Sequence, residues 1–269
     1  MAKKKNLKGL DELEMEFIEA KMKGDSAHNY ITSEGMTTKL KTLSYKLDVK
    51  CKNEKQKQFL NALKNDKHEI CFGIGSPGTG KSYISLAYAL KELKEGNYDE
   101  VIMIIPTAQA GGADLSVGLL KGELYDKVTP FTTADKETIT KILKNCGNIE
   151  AKAIANKLID EGYIRHEFVN FLLGKTFDNA LILVNEAEQY TKDNMRLILT
   201  RLGDNSKIII TGDAKQVNRK SIKNKTDICG LTYAAERLSD LEEVSISEFT
   251  DKDIVRNKLI TKILLKFDV

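Results

Sequence analysis

The sequence predicts an α/β fold built around a parallel β-sheet with helices on its faces. Two observations lead to this prediction. From Glu69 onward, apolar runs of strand length alternate with segments of helical spacing, which is typical of a parallel sheet with crossover helices. The first of these runs is followed by a glycine-rich loop and then by a helical segment, so the loop is placed between a strand and a helix.

The apolar runs that are predicted as strands are each followed by a loop or by a segment compatible with a helix. They read EICFGIG, EVIMIIP, ALILV, KIIITG and EEVSIS. Between the second and third runs, KETITKILKNC and EAKAIANKLID have helical spacing, and the segment after Tyr163 is predicted to be extended.

The first fifty residues differ from the rest of the chain. We predict an N-terminal extension over residues 1–50 and one α/β domain over residues 51–269, because a chain of 269 residues can bury one substantial core or one core with a small accessory piece. The run LDELEMEFIEAKM has apolar residues on roughly one helical face, which predicts a short helix there. These residues are Leu10, Leu13, Phe17 and Ile18.

Composition narrows the class of protein. A hydrophobic content of 41% and a charged content of 30% suit a soluble globular protein, and a formal net charge of +3 is too small to establish a nucleic-acid partner. The four cysteines stand far apart without a CxxC pair, which argues against a zinc site. No apolar stretch of signal-peptide or membrane-span length follows the basic N-terminus, so we expect a cytoplasmic protein without a membrane partner.

The glycine-rich loop matches every position of the G-x-x-x-x-G-K-[ST] pattern. Its residues are Gly75, Ser76, Pro77, Gly78, Thr79, Gly80, Lys81 and Ser82. Glycines let backbone N–H groups turn toward phosphate oxygens, and the helix that follows adds the positive end of its dipole. Lys81 is expected to hold the β- and γ-phosphates of a nucleotide, and Ser82 is expected to offer its hydroxyl to Mg²⁺. The strand-to-helix context disfavours the alternative, a chance glycine-rich turn that contains a lysine.

The strand ALILV ends in Asn185 and Glu186, where a metal-holding and a water-activating carboxylate are expected opposite the phosphate loop. Glu186 fits the role of general base or water-orienting group. Asn185 fits the metal role only partly, because a neutral amide adds no charge to the site. We therefore expect Mg²⁺ to be bound more weakly but not lost, since Ser82 and the nucleotide phosphates remain as ligands. In a second interpretation the register shifts and Glu186 and Glu188 take the two roles. In a third, Asn185 is a substitution introduced to trap bound nucleotide.

Three further polar residues are candidates for the nucleotide site. For each of them, a side chain that is simply exposed to solvent is the ordinary alternative. Gln216 follows the strand end Gly-Asp in KIIITGDAKQ, where it could contact the γ-phosphate or the attacking water. Arg256 lies in the helical run DKDIVRNKLI. Gln56 precedes the first strand, where a side-chain amide could read an adenine edge.

The chain resembles the PhoH family of ATPases from about Gln56 to its end, in six segments taken in order. They read NEKQKQFLNAL, FGIGSPGTGKSY, VGLLKGELYDKVTPF, GKTFDNALILVNEAEQ, LTRLGDNSKIIITGDAKQV and DIVRNKLI. The resemblance implies a RecA-like P-loop NTPase core similar to that of superfamily 1 helicases, hydrolysis of ATP with Mg²⁺, a role in RNA or single-stranded nucleic-acid metabolism, and assembly into rings, often hexamers. It also implies that Gln56 reads adenine, that Gln216 senses the γ-phosphate and that Arg256 is an arginine finger at a subunit interface.

The chain departs from the usual family pattern in three places. Asn185 stands where the family usually has Asp, and the segment IIPTAQAGGAD lacks an Arg-Pro pair that is common in the family. Lys175 replaces an arginine, which keeps the charge but loses bidentate geometry. The compact length resembles versions that phages carry, and a phage-encoded protein would act in the host cytoplasm.

Lysines concentrate in two stretches that are candidates for binding a nucleic-acid backbone. The first comprises Lys39, Lys41, Lys46, Lys50, Lys52, Lys55 and Lys57, and the second is KQVNRKSIKNK, Lys215 to Lys225. Solvated lysines are the alternative in both stretches. Aromatic residues that would stack on bases do not obviously interleave either one.

Three functions stay open at the level of sequence. The first is a Mg²⁺-dependent ATPase of helicase type that acts on RNA or single-stranded DNA. The second is a nucleotide-gated nucleic-acid-binding ring in which Asn185 leaves hydrolysis slow or absent. The third is a small-molecule kinase, which the Gly-Asp-x-x-Gln strand end and the late arginine disfavour. Stimulation of turnover by nucleic acid separates the first two.

Overall fold

The computed structural model describes residues 45–106, 124–214, 229–255 and 266, and these residues form an α/β structure on one parallel sheet. The strands are β1 (Ile70–Gly75), β2 (Glu100–Ile105), β3 (Ile164–Phe168), β4 (Ala180–Val184), β5 (Lys207–Gly212) and β6 (Val244–Phe249). Their order across the sheet is β3-β2-β4-β5-β1-β6, and each neighbouring pair is parallel. The predicted parallel α/β fold is confirmed, and the segment after Tyr163 that was predicted as extended forms β3.

Helices connect these strands and cover both faces of the sheet. The α-helices in the described part of the chain are α1 (Glu54–Leu63), α2 (Lys81–Glu95), α3 (Leu124–Asn145), α4 (Ala151–Asp160), α5 (Lys192–Leu199) and α6 (Gly230–Leu238). Single 3-10 turns span Val169–Phe171, Ala187–Gln189 and Asp251–Asp253. Across the described ranges, no helix is both long enough and apolar enough to cross a membrane. The helix predicted around residues 10–18 lies outside the described residues.

The core lies on both sides of the sheet, which explains why the strands read as continuous apolar runs. All residues of β4 are buried. Leu181 and Leu183 pack in a cluster with α1, α2, α3 and α4, whereas Ile182 and Val184 pack in a second cluster with α5 and α6. Successive residues of a strand point to opposite faces, so a strand covered on both faces needs an apolar residue at every position.

The strand order determines where a ligand site can form. Strand β5 lies between β4 and β1, and β6 lies on the other side of β1. Because the strands are parallel, the segments that follow β4, β5, β1 and β6 all emerge at the same edge of the sheet. Open α/β sheets bind their ligands at this carboxyl edge.

The first described residues pack against the domain that follows them. Tyr45 is buried, and its hydroxyl donates to the Leu90 carbonyl of α2 at 3.0 Å. The Asn148 side chain accepts from the Lys46 N–H at 2.8 Å and donates to the Lys46 carbonyl at 2.7 Å. The end of the predicted N-terminal extension is thereby attached to α2 and to the turn after α3. The domain boundary at residue 50 stays a prediction.

Candidate functional site

A cavity of about 680 Å³ opens at the carboxyl edge of the sheet. This volume is within the range of pockets that hold nucleotide-sized ligands. The loop after β1, the residues that follow β4 and the carboxyl end of β5 form its walls. They include Gly78, Gly80, Lys81, Ser82, Glu186, Glu188, Thr211, Gly212 and Asp213.

The loop from Gly75 to Ser82 has the geometry that its sequence predicts, because β1 ends at Gly75 and α2 begins at Lys81. Gly78 and Gly80 have φ angles of +81° and +90°, a region that favours glycine. Gly80 is required for a second reason, since a Cβ atom there would lie 2.6 Å from the Gln56 amide nitrogen. The loop can therefore turn its backbone toward the cavity only with glycine at these positions.

Lys81 lies in the wall of the cavity and is largely buried. Its ammonium donates to the carbonyls of Gly75 at 2.5 Å and Ser76 at 2.9 Å, and to the Thr79 hydroxyl at 3.3 Å. These bonds hold a positive charge inside the curve of the loop. A phosphate oxygen is a stronger acceptor for an ammonium group than a neutral carbonyl, so the lysine can exchange one of these partners for a phosphate.

Gln56 links the loop to the start of α1. It is 2% exposed, its Nε2 donates to the Thr79 carbonyl at 2.7 Å, and its Oε1 accepts from the Lys52 N–H at 2.7 Å. Gln56 also lines the cavity, and one N–H of its amide is not used by either of these bonds. The structure therefore shows that Gln56 holds the phosphate loop in place. Its predicted reading of adenine stays a prediction.

A chain of hydrogen bonds connects the loop to the end of β4. Thr211 on β5 donates to Asn185 Oδ1 at 2.8 Å, so the 3.2 Å contact between the Ser82 and Thr211 hydroxyls has Ser82 as its donor. The two candidate metal ligands thus contact the same buried threonine. Sequence reasoning did not identify Thr211; the only available signal was a polar residue in an otherwise apolar strand end.

Glu186 follows Asn185 with an unusual backbone conformation. Its φ and ψ are +50° and +46°, a left-handed region that a non-glycine residue adopts at a cost of about 1 kcal/mol or more. The side chain is exposed and lines the cavity. Such local strain is common at functional sites, and here the strained residue lines the same cavity as the phosphate loop.

Glu188 joins Glu186 in the same wall. It is 6% exposed, and its Oε2 accepts from the Asp213 N–H at 2.9 Å. Burial, together with a hydrogen bond to Glu186, raises the pKa of Glu188 to about 7. The Glu188 carboxyl is therefore partly protonated near neutral pH. The sequence placed Glu188 in the site only under a shifted register, whereas the structure brings both carboxyls to the cavity.

Replacing Glu188 with Gln is expected to change how stability depends on pH. A carboxyl group whose pKa is higher in the folded protein binds more protons there, so the wild-type protein loses stability as the pH rises from about 4.5 to about 7. Gln does not titrate and keeps an acceptor for the Asp213 N–H. The Tm of Glu188→Gln minus that of the wild type should therefore increase by about 5 °C between pH 5 and pH 8.

Thermal unfolding at a series of pH values measures this difference. Glu242→Gln is the matched control, because Glu242 is exposed and distant from the cavity lining. Its Tm difference from the wild type should stay constant over the same range. A constant difference for Glu188→Gln as well would contradict the raised pKa.

The far wall of the cavity contains residues that the sequence did not assign to it. They are Lys50, Lys52, Tyr83, Lys141 and Asn145. Asn145 at the end of α3 donates to the Tyr83 hydroxyl at 3.2 Å, which joins α3 to the first turn of α2. Lys50 and Lys52 were predicted as part of a nucleic-acid-binding stretch, and the structure places them in the lining of the same cavity as the phosphate loop.

Carboxyl groups line the cavity, but among the described residues they do not form a cluster of the metal-binding type. Nowhere in the described part of the chain do three His, Cys, Asp or Glu side chains form a group that could hold a metal. Ser82 and Asn185 offer neutral oxygen atoms near the phosphate loop. This set fits Mg²⁺, which is commonly bound by one or two protein ligands together with phosphates and water.

Two predicted site residues, Gln216 and Arg256, lie outside the described residues, as does the lysine stretch from Lys215 to Lys225. The neighbours of the first two are described. Asp213 lines the cavity, and the Val255 N–H donates to the Gly78 carbonyl at 3.0 Å.

Comparison with known proteins gives a consistent family assignment. The model of the family described as PhoH-like protein matches residues 48–268. The PhoH-like protein of Bacillus subtilis (strain 168) is 32% identical over 221 residues, which cover 82% of this chain and 64% of that protein. The PhoH-like protein of Mycobacterium tuberculosis (strain ATCC 25618 / H37Rv) is 30% identical over 216 residues, which cover 80% of this chain and 57% of that protein.

A third relative agrees. Protein PhoH of Escherichia coli (strain K12) is 29% identical over 218 residues, covering 80% of this chain and 57% of that protein. The chain thus spans about three fifths of the length of these curated relatives. The parallel sheet with a phosphate loop between β1 and α2 is a RecA-like P-loop core, as predicted.

Proposed function

The chain belongs to the PhoH-like protein family, and on that premise we propose that it is a Mg²⁺-dependent ATPase of helicase-like type that acts on RNA or single-stranded DNA. One observation carries the proposal. A complete phosphate loop and the exposed Glu186 carboxylate line the same cavity. Phosphoryl transfer to water needs a cradle for the phosphates and a group that orients the attacking water, and both elements line this cavity.

Each residue of the site has a role in this proposal. Lys81 binds the β- and γ-phosphates, and Ser82 contributes a hydroxyl oxygen to Mg²⁺. Asn185 accepts a hydrogen bond from a magnesium-bound water through the lone pair of Oδ1 that Thr211 does not use. Glu186 orients the attacking water or accepts its proton. When Mg²⁺ is bound, it neutralises charge on the phosphates.

Three further assignments rest on the family resemblance. Gln56 reads adenine, Gln216 senses the γ-phosphate, and Arg256 is the arginine finger of a neighbouring subunit in a ring, for which a hexamer is the expected size. A protein of this kind would work in the cytoplasm, or in the host cytoplasm if a phage encodes it. The lysines beside the cavity favour contact with a nucleic-acid backbone close to the nucleotide.

One observation favours a second function. Asn185 is neutral, so the Ser82–Thr211–Asn185 chain brings no negative charge to a metal ion. A ring that binds ATP but hydrolyses it slowly would act as a nucleotide-gated clamp on nucleic acid. The clamp and the motor differ in one measurable property, which is turnover in the presence of nucleic acid.

Replacing Asn185 with Asp is expected to lower the Mg²⁺ concentration for half-maximal ATP hydrolysis by about tenfold, since a carboxylate binds the ion more tightly than an amide. The aspartate still accepts the hydrogen bond from Thr211. Steady-state phosphate release, titrated with Mg²⁺ with and without single-stranded RNA or DNA, measures the effect. Asn205→Asp, at an exposed turn away from the cavity lining, controls for the change in net charge.

The outcomes decide between the two functions. Turnover by the unaltered chain that nucleic acid accelerates supports the ATPase. Turnover only after Asn185→Asp supports the clamp. Failure of both proteins to bind ATP would overturn both proposals.

A further inference from the structure

The segment from Phe249 to Val255 runs along the phosphate loop. Strands β6 and β1 are paired with Phe249 opposite Gly75. The approach is close, because a Cβ atom on Gly75 would lie 1.9 Å from the Phe249 carbonyl oxygen. Further along, the Val255 N–H donates to the Gly78 carbonyl at 3.0 Å. The segment therefore contacts the loop near its start and at its middle.

Asp251 contacts the loop between these two points. The hydroxyl of Ser76 donates to Asp251 Oδ1, and Ser76 is 6% exposed. The carbonyl of the same serine accepts from the Lys81 ammonium at 2.9 Å and from the Thr79 hydroxyl at 3.0 Å. Ser76 thus connects Asp251 with Lys81.

Hydrogen bonds fix the turn in which Asp251 lies. It begins the 3-10 turn Asp251–Asp253, which is closed by a capping box in which Asp253 Oδ2 accepts from the Thr250 N–H at 2.8 Å. Asn53, which caps α1, donates to the Asp253 carbonyl at 2.9 Å. These bonds fix the turn from two sides, so the carboxylate is held against the loop.

The charge of Asp251 distinguishes it from a purely structural partner. A hydroxyl donor needs only an acceptor oxygen, which the side-chain amide of Asn would also supply, although in a weaker bond than a carboxylate. A carboxylate at this point adds a negative charge beside a loop whose ligand is anionic, and like charges repel even when solvent screens them partly. The hydrogen bond between Ser76 and Asp251 holds the loop in shape, while the negative charge of Asp251 repels the phosphates.

From these contacts we propose that Asp251 is a positioning residue for phosphate binding: it holds Ser76, and through Ser76 the partners of Lys81, while its charge limits how tightly the loop retains a nucleoside diphosphate. The inference rests on the proposed function, because it requires a nucleotide at the loop. It adds a control of product retention by a residue that does not touch the nucleotide.

Two substitutions of Asp251 separate geometry from charge. Asp251→Asn keeps the acceptor and removes the charge, so ADP should bind about threefold more tightly than to the wild type. Asp251→Ala removes the acceptor, so ADP should bind about tenfold more weakly. Adenosine lacks phosphates and should bind equally to all three proteins. Titration calorimetry of the full chain with ADP and with adenosine measures these affinities.

Controls keep the test specific to the loop. Asp240→Asn removes one negative charge at an exposed site away from the cavity lining and should leave ADP binding unchanged. Thermal unfolding without nucleotide shows whether each variant is folded. If Asp251→Ala does not fold, Ser76→Ala removes the same hydrogen bond from the loop side and leaves the charge of Asp251 in place, so it should weaken ADP binding by about thirtyfold.

The inference is overturned if Asp251→Ala binds ADP as tightly as the wild type. It is also overturned if Asp251→Asn binds ADP more weakly than the wild type. Wild-type protein that binds neither ATP nor ADP overturns the proposed function and this inference together. Wild-type protein that binds both nucleotides, with unchanged affinities in the Asp251 variants, overturns only the inference.

Discussion

Glu186→Gln is expected to lower the rate of ATP hydrolysis by about two to four orders of magnitude, the usual contribution of a general base. The affinity for ATP should stay within about threefold of the wild-type value, because the substitution keeps the size of the side chain and the phosphates are held by the loop. Glu186 lines the cavity in a left-handed backbone conformation. Phosphate release measures turnover, and binding of a non-hydrolysable ATP analogue measures affinity.

The neighbouring carboxyl provides the sharpest comparison for this variant. If Glu186→Gln keeps its turnover while Glu188→Gln loses it, the role of general base belongs to Glu188. Glu242→Gln, at an exposed position, is the control here as well and should hydrolyse ATP at the wild-type rate. If Glu186→Gln and Glu188→Gln both lose only a small and equal part of the hydrolysis rate, neither residue is the general base.

Gly75→Ala is expected to reduce the free energy of unfolding by about 3 kcal/mol or more and to abolish nucleotide binding. The added Cβ would lie 1.9 Å from the carbonyl oxygen of Phe249, and this oxygen belongs to the backbone of a paired strand that cannot move aside without breaking the ladder. Gly75 also has a φ of +139°, which disfavours any L-residue. Denaturant unfolding of the wild type and the variant measures the loss.

Gly174→Ala separates the two causes. Gly174 has a φ of +78°, but a Cβ atom there would meet nothing within 4 Å. This control should therefore lose only the backbone cost, about 1 kcal/mol. If Gly75→Ala is no less stable than Gly174→Ala, β6 does not approach β1 as closely as the structure shows.

The sequence predicts best what local pattern encodes. The β4 run ALILV is apolar at each position because it is buried on both faces, so length and apolarity suffice to identify the strand. The loop from Gly75 to Ser82 can also be identified from local pattern. The positive φ angles at Gly75, Gly78 and Gly80 favour glycine at those positions.

What the sequence does not reveal are contacts between distant segments. Ser76 and Asp251 are 175 positions apart, and Thr211 meets Asn185 only because β5 lies beside β4. No periodicity or spacing marks such a pair, because the contact depends on the strand order. Gln56 illustrates the same limit: its position suggested a role toward the base, whereas its contacts with Thr79 and Lys52 become visible only in three dimensions.

The strand order also has a consequence for synthesis on the ribosome. Strand β2 pairs with β3 and β4, which emerge soon after it, but β1 pairs with β5 and β6, which begin only at Lys207 and Val244. The nascent chain therefore carries the phosphate-loop sequence long before the strands that hold it exist, and closing so long a loop comes late in folding. A polypeptide released before Val244 would contain the whole glycine-rich motif and yet lack the strand against which Gly75 is fixed.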